Sequence, residues 1–177
     1  EWPVEEVKHT GRRGMAAARL VVIGAGLIGR EHCNLIRQHS GADLVGLADI
    51  SEPAREYAHS NGYAFFSDYE EMLDRLIPDG AIVALPNALH LTAGQACLSR
   101  GVPCLIEKPI AETVAAAKIL VDASATLAVP VLVGHHRRYS PDIREARKLI
   151  RDGALGDLVA VNGLWMADKP DDYFHEI

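Results

Sequence analysis

The sequence predicts an α/β fold: a doubly wound, mainly parallel Rossmann sheet, followed by the start of a truncated α+β second domain. Three observations predict it. From Arg19 onward, short β-branched runs alternate with longer amphipathic stretches. The runs are almost continuously apolar, as strands covered on both faces must be. The first run passes directly into a glycine turn, "GAGLIG", that opens a helix. Right-handed crossovers then make the doubly wound arrangement the default.

The elements follow in order. "RLVVI" is the first strand, and a helix runs from Leu27 to Gln38. "DLVGLAD" is the second strand and Glu52 to Ser60 the second helix, with Pro53 in its first turn, where a missing N–H costs nothing. "YAFF" is a short third strand, and "SDYEEMLDRLI" a helix capped by Ser67 or Asp68. "GAIVAL" is the fourth strand, followed by a helix from Leu89 to Arg100. "VPCLI" is the fifth, Val114 to Ala128 an alanine-rich helix, and "VPVLVG" the sixth strand.

After Gly134 the pattern changes. "SPDIREARKLIRDG" reads as a helix ending at Gly153, and "GDLVAVNGLWMAD" as a strand with outward polar positions. A lone strand is an unstable way to finish a domain, so the chain is expected to be cut short. The expected organisation is a tail over 1–14, a dinucleotide-binding domain over 15–134, and over 135–177 the beginning of a domain for substrate and oligomerisation.

Composition narrows the function. A net charge of -6 offers no basic patch for nucleic acid. No apolar run approaches the roughly 20 residues that cross a bilayer. The cysteines Cys33, Cys97 and Cys104 are odd in number and lack metal-like spacing. They imply buried thiols in a reducing, cytoplasmic setting without a disulfide framework. No metal site is expected.

The glycine turn carries the first functional reading. Gly24 permits the tight turn, Gly26 lets backbone approach a pyrophosphate, and Gly29 lets helix pack on strand. The N–H groups at the helix start, from Leu27, Ile28 and Gly29, then face the anion. Asp49, twenty positions after Gly29 at the end of the second strand, can accept both adenosine ribose hydroxyls. It would repel a 2′-phosphate, and no arginine follows it, so NAD is expected over NADP. The other reading is a turn that binds nothing, with Asp49 capping the next helix.

In such a sheet, ligands lie beyond the carboxyl ends of the strands. "ALPNALH" leaves the fourth strand there and "EKP" the fifth. With "GAGLIG", "EKPIAET", "VGHHRRYSP" and "GALGDLVAV", these segments make residues 19–177 resemble the Gfo/Idh/MocA oxidoreductases, the glucose-fructose oxidoreductase and inositol dehydrogenase family. The resemblance implies that Lys108 lies between nicotinamide ribose and substrate and polarises the reacting oxygen. A partly desolvated lysine beside a cationic cofactor gives up its proton more readily. The alternative is a solvated lysine paired with Glu107.

By the same resemblance, Glu107 holds the nicotinamide ribose. A cis bond before Pro109 would fix the direction of the lysine, Pro86, Asn87 and His90 line the cofactor cleft, and Arg138 lies near the cofactor and the domain junction. His135 or His136 could face the cleft, with His136 the candidate for substrate contact. Lys169, Asp171 and Tyr173, in "DKPDDYF", could reach a polyhydroxylated substrate or form a solvated loop. His32, His39 and His59 read as ordinary surface residues.

By the same resemblance, many members of the family carry an Asp-x-x-x-His pair in the second domain, and its histidine is the usual acid/base partner. The expected function is therefore that of an NAD-dependent dehydrogenase, or an N-terminal portion of one. It would act on a sugar, inositol or related polyol and assemble as a homo-oligomer through the second domain. The alternatives are a non-catalytic NAD(P)-binding sensor or regulator and an inactive dissociated domain.

Overall fold

A computed structural model describes residues 16–164, 166 and 168. The chain divides into two units, Glu1–His135 and His136–Ile177. In the first unit six parallel strands form one sheet: β1 (Ala18–Ile23), β2 (Ala42–Ala48), β3 (Phe65–Phe66), β4 (Gly80–Val83), β5 (Cys104–Ile106) and β6 (Val131–Val133). Their order is β3-β2-β1-β4-β5-β6. Chain direction across the sheet therefore reverses between β1 and β4, where a crevice opens at the carboxyl ends.

Five helices cover the sheet: α1 (Leu27–Gln38), α2 (Glu52–Asn61), α3 (Tyr69–Leu76), α4 (His90–Ser99) and α5 (Val114–Leu127). Successive β1 side chains point to opposite faces. Val22 packs with Cys33 and Ile36 of α1 and Ala54 and Ala58 of α2. Val21 and Ile23 pack instead with Met72 and Leu73 of α3, Leu98 of α4 and Leu120 of α5. Each large side chain buried this completely contributes about 1.5–3 kcal/mol.

Local chemistry sets the helix starts. The Asp68 carboxylate accepts the Glu70 N–H at 2.8 Å, which makes Asp68 and not Ser67 the cap of α3. Thr113 Oγ1 accepts from Ala116 at the head of α5. All three cysteines are free and buried. Burial pushes the Cys33 thiol up to about 11. Among the described residues no helix is long and apolar enough to cross a membrane.

The structure differs from expectation in three places. The third strand is only Phe65–Phe66, opposite Leu47 and Ala48, because the Tyr63 N–H is taken by Ala58 O at 2.9 Å as α2 ends. The helix expected from Leu89 begins as a 3-10 turn over Asn87–Leu89 and becomes α4 at His90.

The third difference lies in the second unit, where a 3-10 turn (His136–Tyr139) precedes α6 (Pro141–Arg151). Ser140 Oγ accepts the Ile143 N–H at 3.2 Å to cap α6, and Pro141 stands in its first turn. Of the strand expected over 156–168, the described residues 156–164 carry none. An alternating pattern suits a strand, but a strand exists through its ladder, and no described segment pairs with this one.

Candidate functional site

The glycine turn joins β1 to α1 at the point of reversal. Gly24 has φ +97°, a conformation that suits glycine, and a Cβ there would lie 2.5 Å from Ala84 O at the β4 exit. A Cβ on Gly29 would run into the Gly24 carbonyl, so helix and turn touch backbone to backbone. Gly26 is different: nothing lies within 4 Å of where its Cβ would be. The start of α1 has no side-chain cap and no acidic residue in its first turn. Open space over Gly26 and N–H groups without a cap fit the pyrophosphate of a dinucleotide.

Asp49 fastens this turn to the end of β2. Its Oδ2 accepts the Ala25 N–H at 2.7 Å and its Oδ1 the Ser51 N–H at 2.8 Å. Burial pulls the carboxyl upward, but the hydrogen bonds from Ala25, Ser51 and Ile50 together outweigh it and hold it below the ordinary aspartate range. The charged form thus grips the turn fully above that range, and the grip is lost as pH falls through the lowered value. Each oxygen keeps a lone pair for a ribose hydroxyl. Asp49 thus bonds Ser51, the residue at the head of α2, but α2 has no side-chain cap, so the helix-capping alternative does not form.

Asp49→Asn keeps the shape and removes the charge. A hydrogen bond to a charged group contributes about 1.5–3 kcal/mol, so NADH affinity should fall about 10–100-fold. NADPH should lose less, which shifts the preference toward it. Titrating both cofactors against both proteins checks this.

A cavity of about 180 Å³ lies beside the turn, lined by Ile28, Ala84, Leu85, Asn87, His90, Glu107 and Lys108. Pockets that enclose a whole ligand span about 300–1,000 Å³, so this one has room for only part of such a ligand. Its walls are the start of α1 and the exits of β4 and β5, which brings Ile28, Asn87, His90, Glu107 and Lys108 together as the sequence predicts. Pro86 is exposed at the head of the 3-10 turn, and Leu27 is 86 % exposed at the head of α1.

Lys108 is exposed, and among the described residues its ammonium has no ion-pair partner. The pairing with Glu107 does not form. Glu107 Oε1 instead accepts from His32 Nε2 at 3.0 Å, and Oε2 lies 3.2 Å from the Lys108 backbone N–H. A Cβ on Gly134 would come within 2.8 Å of the Glu107 carboxylate, so that glycine leaves the room in which it lies. The Lys108–Pro109 bond is cis, as the resemblance implies.

His32 therefore corrects the reading of it as an ordinary surface residue. Its side chain is 19 % exposed and holds the carboxylate. One signal could have found it: it stands four residues after Ile28, on the same face of α1. Gly134 offered no signal beyond ending a strand. His136 and Arg138 lie in the 3-10 turn of the second unit. Lys169, Asp171 and Tyr173 lie outside the described residues.

Residues 18–135 match a family described as an oxidoreductase family with an NAD-binding Rossmann fold. The chain is 29% identical over 156 residues to the rhizopine catabolism protein MocA of Rhizobium meliloti, covering 88% of this chain and 49% of that protein. It is 29% identical over 150 residues to an inositol 2-dehydrogenase of Corynebacterium glutamicum, covering 82% and 44%. The chain thus spans about half the length of the curated relatives it matches. Among solved structures, scyllo-inositol dehydrogenase from Lactobacillus casei with bound NAD(H) and scyllo-inositol shares the fold, with a TM-score of 0.76 and 23% identity. That match covers 80% of this chain and 43% of that one.

Proposed function

This chain belongs to the oxidoreductase family with an NAD-binding Rossmann fold, and on that premise we propose that it forms the cofactor-binding part of a cytoplasmic NAD-dependent dehydrogenase. The reaction is hydride transfer between nicotinamide and a secondary alcohol or carbonyl of a sugar, inositol or related polyol. The observation that carries this reading is the common cavity of Glu107 and Lys108, beside the uncapped start of α1.

The uncapped N–H groups of α1 bind the pyrophosphate, and the Asp49 carboxylate accepts from the ribose while excluding a 2′-phosphate. Glu107, held by His32, accepts from the second ribose. When bound, the cofactor supplies the hydride acceptor or donor. Lys108 donates a hydrogen bond to the reacting oxygen, fixes its position and draws charge toward it. His136, Lys169 and Tyr173 are candidate substrate contacts and Arg138 a cofactor contact, each from the segment after β6. Self-assembly through that segment belongs to the same reading.

Binding of NADH to the 177-residue chain, followed by calorimetry and by nicotinamide fluorescence, tests the proposal. Saturable binding, at least about tenfold tighter than NADPH, is the expected result. Absence of NADH binding by a folded chain would overturn it.

A further inference from the structure

Arg30 directly follows the third glycine of the turn, as the fourth residue of α1. A cation over the start of a helix is opposed by the helix dipole, so its place there calls for a compensating gain. Long helical side chains lean back toward the N-terminus, and that of Arg30 lies over the turn in this way. Its Nε donates to Ala25 O at 2.9 Å, and its Nη2 donates at 3.1 Å to Pro53 O at the head of α2. The guanidinium carbon lies 4.8 Å from the centre of the Tyr57 ring, also on α2, where cation–π attraction adds to the hold.

Two consecutive peptide groups are fixed as a result. Asp49 Oδ2 accepts the Ala25 N–H and so holds the peptide between Gly24 and Ala25. Arg30 holds the next one by its carbonyl. A peptide is planar, and in the trans form its N–H points opposite to its C=O. Among the described residues only the Lys108–Pro109 bond is cis, so holding Ala25 O also aims the Gly26 N–H, in the direction away from the guanidinium. That N–H has no acceptor among the described residues, and nothing lies within 4 Å of where a Gly26 Cβ would be. An aimed, unpaired N–H at an open helix start is what a phosphate oxygen needs. Without the guanidinium this peptide could rotate, because glycine restrains φ so little.

We propose that Arg30 is the positioning residue of the pyrophosphate turn, acting through the Ala25 carbonyl to aim the Gly26 N–H at the phosphate. This rests on the proposed dehydrogenase reading, in which a dinucleotide lies across the turn.

Two variants test it. Arg30→Lys keeps the charge but loses the planar fork that reaches both carbonyls, and Arg30→Gln loses the charge as well. Backbone ¹⁵N relaxation of the 177-residue chain reads the turn directly. The Gly26 amide should be rigid in the parent, with an order parameter of about 0.85, and should fall below about 0.6 in both variants. Cys33 and Ile36, further along α1, should stay rigid in all three. A Gly26 amide as rigid in the variants as in the parent, or loosened only together with Cys33 and Ile36, overturns the positioning role. If neither variant folds, the parent decides. The Arg30 Nε–H should exchange with water about threefold to tenfold more slowly than that of exposed Arg37 on the same helix, and equal rates overturn the proposal.

Calorimetric titration with NADH supplies the second readout. Affinity should fall about 5–30-fold in both variants, the equivalent of having to fix one backbone residue on binding. Parent-like affinity in Arg30→Lys would assign the effect of Arg30 to its charge alone and overturn the positioning role. A parent chain that binds no NADH overturns the dehydrogenase reading instead, and the relaxation of Gly26 still decides whether Arg30 holds the turn.

Discussion

Replacing Lys108 by methionine should slow NAD⁺-dependent oxidation of a cyclic polyol such as myo-inositol by about 100–10,000-fold, the range a positioned acid–base group contributes. NADH affinity should stay within about threefold, because the proposed reading assigns the pyrophosphate and the adenosine ribose to α1 and Asp49 and not to this side chain. Stability should also change little. Lys108 is exposed and its ammonium is unpaired among the described residues, and substitutions at such positions usually stay within about 0.5 kcal/mol. A chemical step that falls while binding and folding persist identifies a group needed where charge develops. Lys108→Arg keeps the charge but spreads it over a planar fork, so it should recover only part of the rate. The measurement is steady-state turnover of the intact enzyme beside NADH titration of the same preparations. Turnover of the methionine variant within about tenfold of the parent would remove Lys108 from the reaction.

The parts of this site that were legible in the sequence are those whose chemistry is local. Gly24, Gly26 and Gly29 act within one turn, and Asp49 and Lys108 each close a strand, so their places follow from counting residues along a βαβ pattern. The helical spacing from Ile28 hints at His32 but not at its partner, because Glu107 is brought to it by the sheet order and not by proximity in the chain. The same holds for the room that Gly134 leaves and for the Pro109 carbonyl 2.8 Å from His90 Nδ1. The strand expected over 156–168 failed for a related reason. Periodicity reports which side chains would share a face, whereas a strand requires a neighbour, and a pattern of single residues does not contain one. Lys108 follows β5 as the strand pattern predicts, whereas the environment of its ammonium depends on groups that a strand pattern does not contain.

The glycine turn offers a sharper test than Lys108, because two of its glycines have opposite surroundings and the same substitution should therefore fail in opposite ways. An alanine methyl at Gly29 meets the Gly24 carbonyl, a backbone atom that cannot swing aside as a flexible side chain would. Gly24 is itself fixed, with its N–H on Ala48 O at 2.8 Å and Ala84 O close behind it. Either α1 lifts from β1, uncovering Cys33 and Ile36, or the turn opens. Overpacking of this kind costs about 1–3 kcal/mol and more where backbone must move. Gly29→Ala should thus lower the melting temperature by roughly 5–10 °C, at about 2–4 °C per kcal/mol for a chain of this size, and abolish NADH binding with it. At Gly26 the methyl meets nothing, and φ -67° is open to any residue. Gly26→Ala should melt within about 2 °C of the parent, since surface changes of this kind stay near 0.5 kcal/mol. It nonetheless places a methyl group where the pyrophosphate must approach the backbone, and NADH affinity should fall at least about tenfold. Calorimetric melting and NADH titration of both variants separate the outcomes. If Gly26→Ala binds NADH like the parent, the dinucleotide does not lie across this turn, and the site must be sought elsewhere on the sheet.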